Sequence, residues 1–175
     1  TTQGTAVEAC PTCLRERPKG TACLACLQSH AAAVAGALGE SMRFAREGGI
    51  AHPEVQRRLS LAEQELNICE RVDLAADALQ ELEEPEREVA EAAVVKVREL
   101  RQKVGEVASV EALGELAAET SGFHQEIRLR RLALKGVDLK PIFAIAQKVE
   151  AGELTKEEAR KQVQAMLPQE QEAGA

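Results

Sequence analysis

Apolar residues recur at steps of three and four between Val55 and Leu79: Val55, Leu59, Ala62, Leu66, Cys69, Val72, Ala76 and Leu79. That spacing draws a single stripe along one face of an α-helix. A lone helix cannot bury its own stripe, so this segment needs other helices of the chain or a partner to cover it. The composition points the same way. Hydrophobic residues make up 45% of the 175-residue chain, yet aromatics make up only 2%, with three Phe and neither Trp nor Tyr. An apolar surface built from Ala, Leu and Val suits closely packed helices and poorly suits a β-sandwich or barrel. The predicted class is all-α, a helical bundle or a set of long helical hairpins.

Proline and glycine divide the chain into candidate helices. The first runs from about Ser29, as N-cap, to Glu47, where Gly48 and Gly49 stop it. Pro53 opens the striped helix, predicted to run unbroken to about Glu83. Pro85 opens another, with Glu86 and Glu88 in its first turn and a stripe of Val89, Ala93, Val97, Leu100 and Val104. Gly105 and Ser109 mark a break, after which Val110, Leu113, Ala117, Thr120, Phe123, Ile127 and Leu134 form a further stripe. Gly136 resembles a C-cap, Pro141 starts a short helix, and Thr155 with Glu158 forms a capping box before the last one. No segment reads as a convincing strand, although a small hairpin between the cysteine pairs is compatible with the spacing.

Residues 1–28 stand apart, holding four of the five cysteines. Cys10-Pro-Thr-Cys13 and Cys23-Leu-Ala-Cys26 are two CxxC pairs, and each can present two thiolates from a tight turn. Two such turns close a four-sulfur tetrahedral shell, the arrangement of structural zinc. Pro18 and Gly20 can turn the chain between them. The expected cofactor is zinc, held by Cys10, Cys13, Cys23 and Cys26. Iron, a pair of disulfides and a redox CxxC are the alternatives the residues leave open.

Around Cys10, Pro11, Cys13, Pro18, Gly20, Cys23 and Cys26 the chain resembles the short zinc-ribbon family. Leu14 and Leu27 stand where that family usually has Gly. The resemblance implies a metal module in the N-terminal residues and says little about activity. Residues 142–167, with the turn Glu150-Ala-Gly-Glu-Leu-Thr155-Lys-Glu-Glu158, are similar to the bacterial short C-terminal domain, a two-helix module. That likeness implies oligomerisation or membrane-proximal partners. The expected organisation is a zinc-ribbon-like knuckle at 1–28, a helical body at 29–135, a C-terminal helical hairpin at 136–167 and a disordered tail at 168–175.

Other chemistry-bearing residues have plain structural readings. Cys69 falls on the apolar stripe and is expected to be a small buried side chain, the alternative being a reactive thiol. His30 follows Cys26 by four residues and could replace a ligand, but its position predicts a surface residue at a helix N-terminus. His124 is expected to pack beside Phe123 and Ile127. Arg128, Arg130 and Arg131 read as a solvated face near a helix end, or as a site for an acidic partner or phosphate. Glu-x-x-His, HExxH, GxSxG, GxGxxG and the P-loop motif are all absent, which leaves no residue-level support for an enzyme.

A net charge of −7 argues against binding nucleic acid over the whole surface. No run reaches the roughly 18 apolar residues of a membrane span, and no secretory segment opens the sequence. The expected protein is therefore a non-enzymatic, zinc-stabilised adaptor or scaffold in the cytoplasm, joining protein partners or its own copies through helical faces. The alternative is a nucleic-acid or transcription-machinery binding module that uses the zinc ribbon.

Overall fold

The computed structural model describes residues 7–9, 16–18 and 23–166. Two short antiparallel strands, β1 (Val7–Ala9) and β2 (Glu16–Pro18), pair with Val7 opposite Pro18 and Ala9 opposite Glu16. This hairpin brackets the first cysteine pair in sequence instead of lying between the two pairs. All other regular structure among the described residues is helical. The chain forms two compact units, Thr1–Arg128 and Leu129–Ala175.

In the first unit, α1 (Leu24–Gly48) and α2 (Pro53–Ile68) form a tight antiparallel hairpin. The turn works for local reasons. Gly49 takes a φ of 75°, a left-handed conformation natural to glycine, and its N–H closes on the Ala45 carbonyl. The His52 ring caps α2 by accepting from the Glu54 N–H, with Pro53 in the first turn. That ring crowds the Gly48 Cα so closely that an added Cβ would lie 2.7 Å from it. Phe44 packs against His52 on one side and beneath the Arg58 guanidinium on another, which ties the two helices together at this end.

α1 begins five residues before Ser29. Cys23 is its N-cap, and the Cys23 sulfur accepts from the Cys26 N–H. The predicted unbroken helix from Pro53 to Glu83 is also corrected. It ends at Ile68, continues as a π-helical turn from Cys69 to Asp73, and gives way to the single turn α3 (Ala76–Leu79). A π-turn carries an extra residue in each hydrogen-bonded ring and so rotates everything that follows. The stripe is buried as predicted from Val55 through Cys69 and then slips. Val72 is only half-buried and Ala76 is exposed, while Asp73, Leu74, Ala78 and Leu82 turn inward beside Leu79, the last residue of the predicted stripe, which is buried.

α4 (Glu84–Glu106) buries all five residues of its predicted stripe. The Ser109 hydroxyl caps α5 (Val110–Leu134) by accepting from the Ala112 N–H. α5 contributes Leu113, Leu116, Phe123 and Ile127 to the apolar core shared by α1, α2, α3 and α4. Polar seams flank this core. Glu70 pairs with Arg98 and Arg101, joining the π-turn to α4. Glu119 of α5 takes Lys96 and Lys103 of α4, with Lys103 Nζ 2.8 Å away.

Hydrogen bonds from Lys103, then Lys96, hold the Glu119 carboxyl below its ordinary value of 4.5. A lowered folded-state pKa contributes stability above the unfolded value, and that contribution disappears as pH falls through the folded value. Glu119→Gln should therefore cost less than about 1 kcal/mol near neutral pH, as expected for a partly exposed pair. The gap between variant and wild type should narrow below about pH 4.5 in urea unfolding followed across pH. A gap that widened on acidification would show that the seam does not act through this charge.

In the second unit, α6 (Lys140–Glu150) and α7 (Lys156–Met166) form a short helical hairpin. Gly136 and Gly152 adopt positive φ at the ends of the preceding helices, and Thr155 Oγ1 accepts from the Glu158 N–H, which is the threonine half of the predicted capping box. No helix among the described residues is long and apolar enough to cross a membrane.

Candidate metal centre

The second cysteine pair sits at the start of α1. Cys23 and Cys26 are both buried and pack together beside Ala25, apart from the main core. The 3.4 Å bond from the Cys26 N–H to the Cys23 sulfur suits a thiolate acceptor. A helix N-terminus also favours negative charge, which is what a metal-bound thiolate carries. These two residues therefore fit half of a four-sulfur zinc shell. Cys10 and Cys13 lie outside the described residues.

The π-turn lies beside this pair and is bonded to it. The Cys23 N–H donates to the Asp73 carbonyl at 3.1 Å, so the residue that opens α1 is anchored where α2 unwinds. The Asp73 side chain is fully buried and its Oδ2 pairs with Nδ1 of His30. Across the ring, His30 Nε2 faces Glu65 Oε2 at 3.9 Å. The expected surface position of His30 is thus corrected: its side chain is only 12% exposed, because the π-turn brings a buried carboxylate that needs a partner. Cys69 is fully buried and close to both, and donor atoms of His30, Cys69 and Asp73 lie within 4.8 Å of one another.

A thiol, an imidazole and a carboxylate in one cluster superficially suggest a nucleophile with its base and orienting group. Burial argues against that use. It raises the Cys69 thiol pKa, and the nearby Asp73 and Glu65 carboxylates add to the rise, whereas an attacking cysteine needs exposure and a lowered value. Cys69 is the buried small side chain that the stripe predicts.

The remaining candidates lie elsewhere. His124 is half-buried on α5, and its pKa is lowered first by burial and then by the Arg128 charge. Arg128, Arg130 and Arg131 occupy the last turns of α5. An open cleft of about 270 Å³ is lined by Lys103, Glu106, Val107, Leu116 and Glu119, and the ion pair between Lys103 and Glu119 neutralises much of its charge.

Sequence reasoning did not foresee the cluster of His30, Cys69 and Asp73. A signal was present in the four-residue spacings Cys26 to His30 and Cys69 to Asp73, each of which puts two donor side chains on one helical face. No protein-family model, curated protein or solved structure matches this chain.

Proposed function

We propose that this chain is a non-enzymatic, zinc-stabilised helical adaptor that works in the cytoplasm through protein–protein contacts. The observation that carries this reading is the incompleteness of the α6–α7 hairpin. Each of its helices has 11 residues, a length at which an isolated helix is marginal in water. Ile145 and Ala159 are its only buried side chains among the described residues, while Phe143 is 50% exposed and Met166 46%. A module of this kind gains stability by laying its apolar side chains against another protein surface or a second copy. Zinc at Cys10, Cys13, Cys23 and Cys26 would pin the N-terminal segment to the start of α1. The closed shell supplies stability and leaves no open coordination position for catalysis.

The test is the association state of the full chain. Sedimentation velocity should show association that rises with concentration, or capture from the native source should recover a helical protein partner. Phe143→Glu should weaken either contact by about tenfold or more, as for an anchor residue at an interface. Helicity should stay at the wild-type level, because Phe143 is half-exposed. A wild-type chain that remains monomeric and partnerless, or a Phe143→Glu variant that binds as before, would overturn the proposal.

A further inference from the structure

We propose that His30, Cys69 and Asp73 form a second site for a divalent transition metal, separate from the four-cysteine shell, with Nδ1, Sγ and a carboxylate oxygen as ligands.

The argument starts from where the side chains lie. The three come from two distant segments, one residue on α1 and two on the π-turn, and their donor atoms converge within 4.8 Å. A zinc-sized ion binds nitrogen and oxygen at about 2.1 Å and sulfur at about 2.3 Å, so its ligands stand roughly 3.5 Å apart. Reaching that geometry takes small side-chain movements, with His30 and Asp73 parting slightly and Cys69 closing in. Cys69 and Asp73 are fully buried and His30 is nearly so, which excludes the weak acidic surface clusters that many proteins carry.

The backbone adds a second reason. Cys69 and Asp73 stand four residues apart, a spacing that puts both side chains on one helical face. The stretch that carries them is a π-turn with both residues buried, and single π-turns inside helices are frequently found at functional sites. Glu65 has the place of a supporting group. When Nδ1 takes the metal, the imidazole proton resides on Nε2, which faces Glu65 Oε2, the carboxylate–histidine–metal arrangement that orients ligating imidazoles. The charge and atom balance is simple. The Cys69 thiol proton leaves to solvent, the metal-bound imidazole carries its one proton on Nε2, and the thiolate and carboxylate together match the divalent ion. The mixed sulfur, nitrogen and oxygen set favours zinc, with cobalt(II) as a spectroscopic substitute. Three protein ligands leave a fourth position for water or the other Asp73 oxygen.

The experiment uses the full chain in a Cys10→Ser/Cys13→Ser background, which removes half of the four-cysteine shell and separates the two proposals. Cobalt(II) added to this protein should produce a thiolate-to-metal charge-transfer band, and Cys69→Ala or His30→Gln should abolish or greatly weaken it. In the wild-type background, Cys69→Ala should release one equivalent of zinc while Cys10→Ser/Cys13→Ser releases a different one. Should Cys69→Ala fail to fold, alkylation of Cys69 in the Cys10→Ser/Cys13→Ser protein provides the second readout. Saturating zinc should slow that labelling about tenfold, since a metal-bound thiolate is withheld from the reagent. A band and a zinc content unchanged by Cys69→Ala, or labelling indifferent to zinc, would overturn the second site. The four-cysteine shell would be left standing.

Discussion

Leu74→Glu is expected to unfold the helical body. Leu74 follows the π-turn directly, its N–H closes on the Cys69 carbonyl, and its side chain is 2% exposed within the main core. Removing a buried Leu side chain costs about 2 to 5 kcal/mol, and placing a carboxylate there adds the cost of an unpaired buried charge. A domain of this size has roughly 5 to 15 kcal/mol of stability in total, so the variant should lose most of its cooperative transition. Leu74→Ala should remain folded, with a urea midpoint lowered by an amount corresponding to about 3 kcal/mol. Leu61 provides the comparison. It is 40% exposed on α2, and Leu61→Ala should cost less than about 1 kcal/mol. Equal effects at the two positions in denaturant titrations followed by circular dichroism would show that the slipped stripe is misplaced.

This corrects an expectation that the sequence encourages. With an unbroken helix, Leu61, Leu74 and Leu82 would lie off the buried stripe and together form an interaction patch. In the structure Leu74 and Leu82 are buried, and Leu61 alone of the three is exposed. The proposed place for partner contact is therefore the α6–α7 hairpin and not α2.

Stripping the proposed zinc should have an effect of similar size confined to one region. Structural zinc in small fingers is worth on the order of 10 kcal/mol of apparent binding energy. Chelation should therefore unfold the N-terminal segment and fray the first turn of α1, where Cys23 is both cap and proposed ligand. The remaining helices should persist, because Cys23 and Cys26 form a cluster apart from the main core and the stripes of α2, α4 and α5 need no metal. Hydrogen exchange after chelation should show fast amides before about Leu27 and protected amides through α2 and α4. Loss of protection throughout would mean that the metal supports the whole body.

The parts of the fold legible in the sequence are those set by local chemistry. The α4 stripe, the Gly49 stop, Pro53 at a helix start and the Thr155 cap each follow from the residues at those positions. The π-turn was not legible, because Cys69-Glu-Arg-Val-Asp73 contains no glycine or proline and its residues tolerate an ordinary helix. The buried Asp73 pairs with His30, 43 residues earlier, and such a contact leaves no local mark. The start of α1 was misplaced for a related reason. Ser29 looks like a cap, but the Cys23 sulfur takes that role, and a cysteine read as a metal ligand is not ordinarily read as a helix cap. In the candidate site, the cysteine spacing points to one proposed set of donors, and only the packed structure brings His30, Cys69 and Asp73 together.

The most direct test of the proposed zinc-stabilised fold is metal content, measured on the freshly purified, reduced 175-residue chain and on its Cys10→Ser/Cys13→Ser variant. The wild type should contain zinc, and the variant should contain one equivalent less. Absence of zinc from the wild type, or the same zinc content in both proteins, would contradict the four-cysteine shell.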